Sequence, residues 1–452
     1  MSEIKRLTES ELEKFLTEAK RPAKESLRLH KEYGGKIEIS LKCPVRGYED
    51  FAYWYSPGVA APCLEIVESP EKVWELTNKS NTIAVISDGS RVLGLGDIGP
   101  EAGLPVMEGK SLLFKYLGGV DAVPIMLDIK DTDAFIETVL RLQPSFGGIN
   151  LEDIAQPKCF YILEKLQEKA DIPVWHDDQQ GTATVTLAAL MNALKILGKR
   201  RDEVRIAFIG TGAAGVACAR LIFAWGVDPS KATMVDVNGI LNKDRHDFEV
   251  GSHQWSLCQI TNEDGRQGGI AEAMKSADVV IAYSKPGPGT IQPEWVKEMA
   301  EDSIVFACAN PIPEIWPWEA KEAGAAIIAT GRSDFPNQVN NSLTFPAIFR
   351  GVLDVRAKKI TDEMCFAAAN ALANFMGKNL SAEQLLPKMN NIEIYPLQAV
   401  AVAEQAIEQG IAGKPDQHDT LLINARERIC RAQEATRILM EKGIIPEDQQ
   451  HN

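Results

Sequence analysis

The sequence predicts an α/β protein of two domains, a mixed α/β unit followed by a doubly wound parallel sheet, with a helical C-terminal tail. Three observations carry this. The chain has 452 residues, more than one ordinary hydrophobic core organises. From Val204 onward, VRIAFIGTG, ATMVDV, ADVVIAYS, SIVFACAN and AAIIATG form short apolar runs separated by stretches long enough for a helix or a loop. Near-continuous apolarity means strands buried on both faces, hence a parallel sheet covered by helices. Beyond about Lys358, MCFAAANALANFM and AVAVAEQAIEQGIA place small apolar residues at helical spacing.

The first half is less regular. NTIAVIS, DAVPIMLDI, GGINLED and IPVWHDD read as strands, with helix-like segments between them and a glycine-punctuated stretch after the first. The charged segment LGKRRDEV, residues 197–204, separates the halves. The expected units are 1–198, 199–380 and a helical segment 381–452.

Composition narrows the function. The chain carries 48 Lys plus Arg against 63 Asp plus Glu, and 48 − 63 gives a net charge of −15 with no basic run. Nucleic acid is therefore not an expected partner. No stretch approaches the apolar length of a membrane span, and the charged start MSEIKRLTESELEKFLTEAK lacks the apolar core of a signal peptide. Eight cysteines are scattered without a C-x-x-C pair, which fits reduced thiols used in packing and a cytoplasmic location.

Gly210-Thr211-Gly212-Ala213-Ala214-Gly215 matches G-x-G-x-x-G. Its context makes it specific: it ends an apolar strand, opens the helix-like VACARLIFAW, and precedes Asp236 at the end of the next strand. Such a loop lets backbone approach a pyrophosphate, turns helix N–H groups toward it, and offers a carboxylate to the ribose hydroxyls. This is the Rossmann-type signature of a bound NAD or NADP. Asp236 favours NAD, because a 2′-phosphate would meet a like charge; Lys243 and Arg245, a few residues on, are the groups that would receive that phosphate.

Two carboxylate pairs stand out. Glu152-Asp153 ends GGINLED, and Asp177-Asp178 sits in HDDQQGT; both follow strands and precede helix-like runs. Open α/β sheets place their ligands at such strand ends. An all-oxygen set without cysteine or histidine clusters selects Mg²⁺ or Mn²⁺. The competing reading is helix capping, which acidic residues also perform there.

Several long stretches together resemble the malic enzyme family, in its short prokaryotic form. They are YSPGVAAPC (55–63), SDGSRVLGLGDIGPEAGLPVMEGKSLLFKYLGGVDAVPI (87–125), NLEDIAQPKCF (150–160), VWHDDQQGTA (174–183), FACANPIPEI (306–315) and FPNQVNNSLTFPAIFRG (335–351). The resemblance implies oxidative decarboxylation of L-malate to pyruvate and CO₂ with reduction of NAD(P), dependent on a divalent metal, in a homodimer or higher homo-oligomer. By it, Tyr55 is the general acid and Lys110 the general base, with Lys115 the nearest competitor. A basic lysine must first lose its proton, so burial or a neighbouring cation is expected to lower its pKa. By the residues alone, Tyr55 would be a buried aromatic among Phe51, Tyr53 and Trp54. Arg91 aligns with the arginine that binds a substrate carboxylate, although its position also fits a surface hairpin. Glu152, Asp153 and Asp178 align with metal ligands, with Asp177 beside them. Asn310 and Asn341 align with amides near substrate and nicotinamide, with Asn340 an equally shaped neighbour.

Three rivals stay open at this level. A malolactic conversion of malate to lactate would use the same residues. Another 2-hydroxy-acid or amino-acid dehydrogenase would not need the carboxylate set. A non-catalytic NAD-binding protein would have no use for Tyr55, Lys110 and three ligands together. Residues 246–269 carry no functional reading, and no second nucleotide motif is evident.

Overall fold

The computed structural model describes residues 8–448; residues 1–7, the first part of the charged N-terminal stretch, and 449–452 lie outside it. The first domain is built on β1 (Thr82–Ser87), β2 (Asp121–Met126), β3 (Gly148–Leu151) and β4 (Val174–His176). All pairings are parallel, in the order β2-β1-β3-β4. The second holds β5 (Ile206–Ile209), β6 (Thr233–Asp236), β7 (Gly239–Ile240), β8 (Val279–Ala282), β9 (Ile304–Ala307) and β10 (Ile327–Thr330), in the order β10-β9-β8-β5-β6-β7. Every strand read from the apolar runs is present. The one not foreseen, β7, is a two-residue antiparallel edge that pairs Val235 with Ile240 and Asp236 with Gly239. A strand that short carries no periodicity to read.

Register positions the chemistry. β3 pairs with β4 so that Leu151 lies opposite His176, and the next residues, Glu152 and Asp177, leave the sheet side by side. The strand order of the first sheet reverses between β1 and β3, which opens a crevice at the carboxyl ends. The two carboxylate pairs therefore meet there, although 25 positions separate Asp153 from Asp178 in sequence.

The chain after β10, beginning inside the expected second unit, returns to the first domain. Its helices Phe345–Asp354, Asp362–Phe375, Ile394–Glu408 and His418–Glu441 pack onto one another and onto helices Pro100–Gly118 and Thr182–Leu197. Phe114 is fully buried, with its ring centroid 4.6 Å from Phe345 and 5.3 Å from Phe349. Burying such a ring contributes about 1.5–3 kcal/mol, and each aromatic pair adds about 1 kcal/mol. Helix Pro100–Gly118 carries Lys110, so this packing fixes the lysine relative to the sheet. Among the described residues no helix is long and apolar enough to cross a membrane.

Candidate active site

Glu152, Asp153 and Asp178 each present an oxygen to one point, the three lying within 4.8 Å of one another. Glu152 continues the ladder of β3, its N–H donating to Ile86 O at 2.9 Å, and its side chain accepts from the Asn150 amide at 3.0 Å. Asp153 adopts φ +52°, an uncommon conformation for a residue with a side chain. That turn points its own N–H at the Asp178 carboxylate, 2.8 Å away.

Asp177 does something else. It is fully buried, pairs with the Lys110 ammonium, and accepts from Trp175 Nε1 at 3.3 Å. Residues Asp177–Gly181 form one wide π-helical turn before helix Thr182–Leu197. Gly181 is required in it, because a Cβ there would collide with the Asp177 carboxylate. No side chain caps either element, so neither aspartate acts as the helix cap that local rules allow. The turn spends both carboxylates on the site instead, and wide turns of this kind concentrate at functional positions.

Four carboxylates and one ammonium share this pocket. Burial, with Asp178 close by, pushes Asp153 up to about 8 and also drives Glu152 well above the usual carboxylate range. Asp153 Oδ2 and Asn150 Oδ1 are buried with no hydrogen-bond partner. A dense set of hard oxygen donors, one orphaned, fits a divalent cation such as Mg²⁺ or Mn²⁺. His176 is also buried with neither ring nitrogen bonded, and burial holds its pKa down, so it offers a neutral ring.

Lys110 is largely enclosed, its side chain 12 % exposed, but its pKa is not lowered as expected. Burial alone would lower it; Asp177, Glu152 at 3.2 Å and Asp178 outweigh that and hold the ammonium above its usual range. The sequence could not show the carboxylates that fold around the lysine. Lys115 instead pairs with Asp121 at 2.6 Å on the half-exposed side of the helix, which removes it as a competitor.

Arg91 lies beside the cluster, its N–H donating to Asp153 O at 3.0 Å, while its exposed side chain makes no hydrogen bond or ion pair among the described residues. Gly94, in the same loop, lies against Asn310: a Cβ there would sit 3.2 Å from Asn310 O. The loop after β1 thus faces the loop after β9 across the two domains. Asn340 spends its side chain capping the next turn, accepting from Ser342 N at 3.0 Å. The Asn341 amide has no such commitment among the described residues, and the residue's Cβ lies against Gly181. The structure thus separates two residues that shape alone could not.

Tyr55 is not brought to this pocket. It is 73 % exposed, and its hydroxyl bonds to none of the site residues. The sequence alternative also fails, because Phe51, Tyr53 and Trp54 are exposed with it.

The second sheet supplies the nucleotide loop. Gly210 sits at φ +107°, where a Cβ would strike Tyr283 O, and Gly215 packs against the Gly210 carbonyl, so helix Ala213–Ala224 starts hard against β5. Ala213 and Ala214 form its first turn behind Gly212, and Thr211 O accepts from Gln254 Nε2 at 3.3 Å. Gln254 belongs to the stretch 246–269, which had no functional reading in the sequence and here gains one, since helix His253–Ile260 braces the phosphate loop. Asp236 ends β6 with Asn238 N on Oδ1 at 2.8 Å.

Two family models match the chain: the malic enzyme N-terminal domain over residues 34–167 and the malic enzyme NAD-binding domain over 179–407. The bifunctional malic/malolactic enzyme of Bacillus subtilis is 48% identical over 389 residues, 86% of this chain and 94% of that one. The NAD-dependent malic enzyme of Geobacillus stearothermophilus is 48% identical over 84% of this chain and 78% of its own length. The crystal structure of the Entamoeba histolytica malic enzyme superposes with TM-score 0.92 at 47% identity, covering 96% of this chain and 92% of that one. The chain belongs to the malic enzyme family. Relatives named as NAD-dependent and as NADP-dependent both match it, so the family establishes a nicotinamide cofactor and leaves the choice open.

Other residues of this malic enzyme site carried little signal in the sequence. Glu314, fully buried, accepts from Ser284 N at 2.9 Å and Ala309 N at 3.1 Å. It ties the ends of β8 and β9 together directly behind Asn310, and burial pushes it up to about 7. Its only sequence signal was a lone charge in the apolar, proline-rich NPIPEI. Arg245 forks onto Asp236 at 2.8 and 3.1 Å and also binds Asp247. Trp175 and Asn150, which orient Asp177 and Glu152, were visible only as polar-capable residues inside apolar strands.

Proposed function

We propose that this malic enzyme carries out the oxidative decarboxylation of L-malate to pyruvate and CO₂, with a divalent cation and NAD or NADP. The convergence of Lys110, Asp177 and three carboxylate ligands at one strand edge carries this reading. When bound, the cation supplies electrophilic stabilisation of the developing enolate, and the nicotinamide supplies the hydride acceptor. Glu152, Asp153 and Asp178 would hold the cation. Lys110 is held as an ammonium while the surrounding carboxylates are unneutralised; with Glu152, Asp153 and Asp178 committed to a cation that hold would weaken, and Lys110 as the neutral amine, oriented by Asp177, would accept the proton of the C2 hydroxyl. The unpaired Arg91 fork is suited to a substrate carboxylate, and Asn310 and Asn341 to positioning substrate against the nicotinamide.

Tyr55 is assigned the proton that returns to C3, and it is assigned to the partner's site. In the stretches of chain on either side of it, Ile39, Leu41, Tyr48, Tyr53, Leu64 and Val67 are each more than half exposed, a large apolar exposure for a lone chain. A homodimer that covers these side chains would bring Tyr55 into a neighbouring pocket. All eight cysteines are free, which fits a cytoplasmic enzyme.

Asp236 gives NAD the first claim. The like-charge argument against NADP is weakened, however, because Arg245 already neutralises Asp236 and could turn to a 2′-phosphate. A malolactic side activity is retained as a second reading because a relative covering 86% of the chain is named bifunctional. Incubating the enzyme with malate, Mn²⁺ and either cofactor, while following reduced cofactor, CO₂ and the organic acid, tests all of this. Lactate without reduced cofactor would replace the first reading by the second; no turnover of malate with either cofactor would remove both.

A further inference from the structure

The joint between the two domains holds a charged cluster that the catalytic pocket does not use. Helix Lys158–Lys169 of the first domain, helices Ala213–Ala224 and His253–Ile260 of the second, and the start of helix Asp362–Phe375 meet around a cavity of about 110 Å³. Gln179 and Gln180, from the π-helical turn that carries Asp177 and Asp178, form part of its wall. His253 crosses the joint. Its Nε2 lies 3.0 Å from the Glu164 carboxylate of the first domain, and its Nδ1 lies 3.2 Å from Arg220 Nη1 of the second. The ring packs edge to face on Phe160, with centroids 4.8 Å apart.

The partners fix the protonation of this bridge. A guanidinium can only donate, so Nδ1 accepts from Arg220, and the ring proton sits on Nε2, where it is donated to Glu164. The bridge in this form requires a neutral imidazole. A second proton, on Nδ1, would set N–H against N–H and cation against cation at the Arg220 end. Burial and Arg220 hold the ring below its ordinary pKa, against the pull of Glu164. Helix His253–Ile260 itself carries no Asp, Glu, Lys or Arg, and Asp362, from the fourth helix, interacts with Arg220.

The next residue links this bridge to the nucleotide loop. Gln254, only 9 % exposed, donates to Thr211 O at 3.3 Å within the G-x-G-x-x-G turn. Two adjacent residues in the first turn of one helix thus hold the first domain on one side and the phosphate loop on the other. A shift of that helix start moves both contacts together.

We propose that His253 is a positioning residue for dinucleotide binding: as a neutral bridge it seats helix His253–Ile260 against the phosphate loop, and when charged it releases that seat. The dinucleotide is then held less tightly at acid pH. The proposal rests on the nicotinamide cofactor of the family and not on the malate reading.

Titration calorimetry of the full chain with NAD and, separately, NADP tests it, at constant ionic strength from pH 8 to 5.5 and without malate or divalent cation. For the unmodified chain, the dissociation constant of the tighter dinucleotide should rise about threefold or more over the acid part of that range, as loss of a hydrogen bond implies. His253→Gln keeps an acceptor and a donor but cannot charge, so it should match the unmodified chain at pH 8 and lose most of the rise. Glu164→Gln removes the acid that favours the charged ring, so the rise should move to lower pH. Gln254→Ala should weaken binding about threefold at every pH. The ligand's own ionisation cancels between unmodified and variant chains. No rise in the unmodified chain, a rise that survives His253→Gln unchanged, or a rise moved to higher pH by Glu164→Gln overturns the proposal. Undiminished affinity in Gln254→Ala overturns the route through the phosphate loop. Malate and the cation take no part in these titrations, so this proposal and the malate reading fail separately.

Discussion

Mixing two inactive variants tests the sharing of Tyr55 between chains. Tyr55→Phe removes the phenolic proton donor, and Lys110→Ala removes the amine; each alone should lower turnover by about 10²-fold or more, as loss of general acid–base groups does. Tyr55 is 73 % exposed in the single chain, so the phenylalanine variant costs the fold little. In a symmetric dimer with sites completed across the interface, random pairing of equal amounts makes about half the dimers mixed. In each mixed dimer, the Tyr55→Phe chain keeps its own Lys110 and receives an intact tyrosine from its partner. The opposite site lacks both groups. One intact site in two, in half the dimers, restores about a quarter of normal activity. The assay is malate-dependent cofactor reduction after co-expression of differently tagged chains and isolation of the total pool. If each chain completed its own site, every site would lack one group, and activity would stay at the level of the separate variants. That result would refute the reasoning from exposure.

Three further outcomes follow from the pocket. Asp153 is pushed up to about 8, so the folded chain binds a proton that the unfolded chain releases near 4. Stripped of divalent cations, the protein should therefore lose stability as pH rises between those values, by at most about 1.4 kcal/mol per pH unit; Mn²⁺ should flatten the dependence, and equal melting curves with and without Mn²⁺ at pH 8 would count against the cation site. Asp177→Asn leaves Lys110 with Glu152 at 3.2 Å as its nearest carboxylate. The change should destabilise the chain by about 3 kcal/mol, the low end for breaking a buried pair, and depress kcat more than KM; denaturant melts and steady-state kinetics check it. Arg245→Ala should lower kcat/KM for NADP by about tenfold or more, the loss of a charge-assisted contact, with a smaller effect on NAD. An unchanged ratio between the two cofactors would remove Arg245 from that role.

Much of this molecule was legible in one dimension. Apolar runs located nine strands because a strand buried on both faces must be apolar along its length, and the G-x-G-x-x-G context located the nucleotide loop because each glycine there answers a steric demand. The carboxylate pairs were visible as pairs. Sequence could not divide their work, since local rules allow Asp177 and Asp178 to cap a helix, and only the π-helical turn shows one gripping Lys110 and the other facing Asp153.

What the chain by itself determined was therefore local: element positions, turn chemistry and the kinds of side chain available at strand ends. Tertiary structure decided everything that depends on which groups become neighbours. It turned the expected low pKa of Lys110 into a raised one, because three carboxylates arrive from two other strand ends. It left Tyr55 exposed, with its hydroxyl bonded to none of the residues around Lys110, and it gathered Lys42, Arg356, Lys414 and Arg428 from four separate segments into one cavity. Electrostatic energy and burial depend on distance in space, and a sequence specifies that distance only by folding.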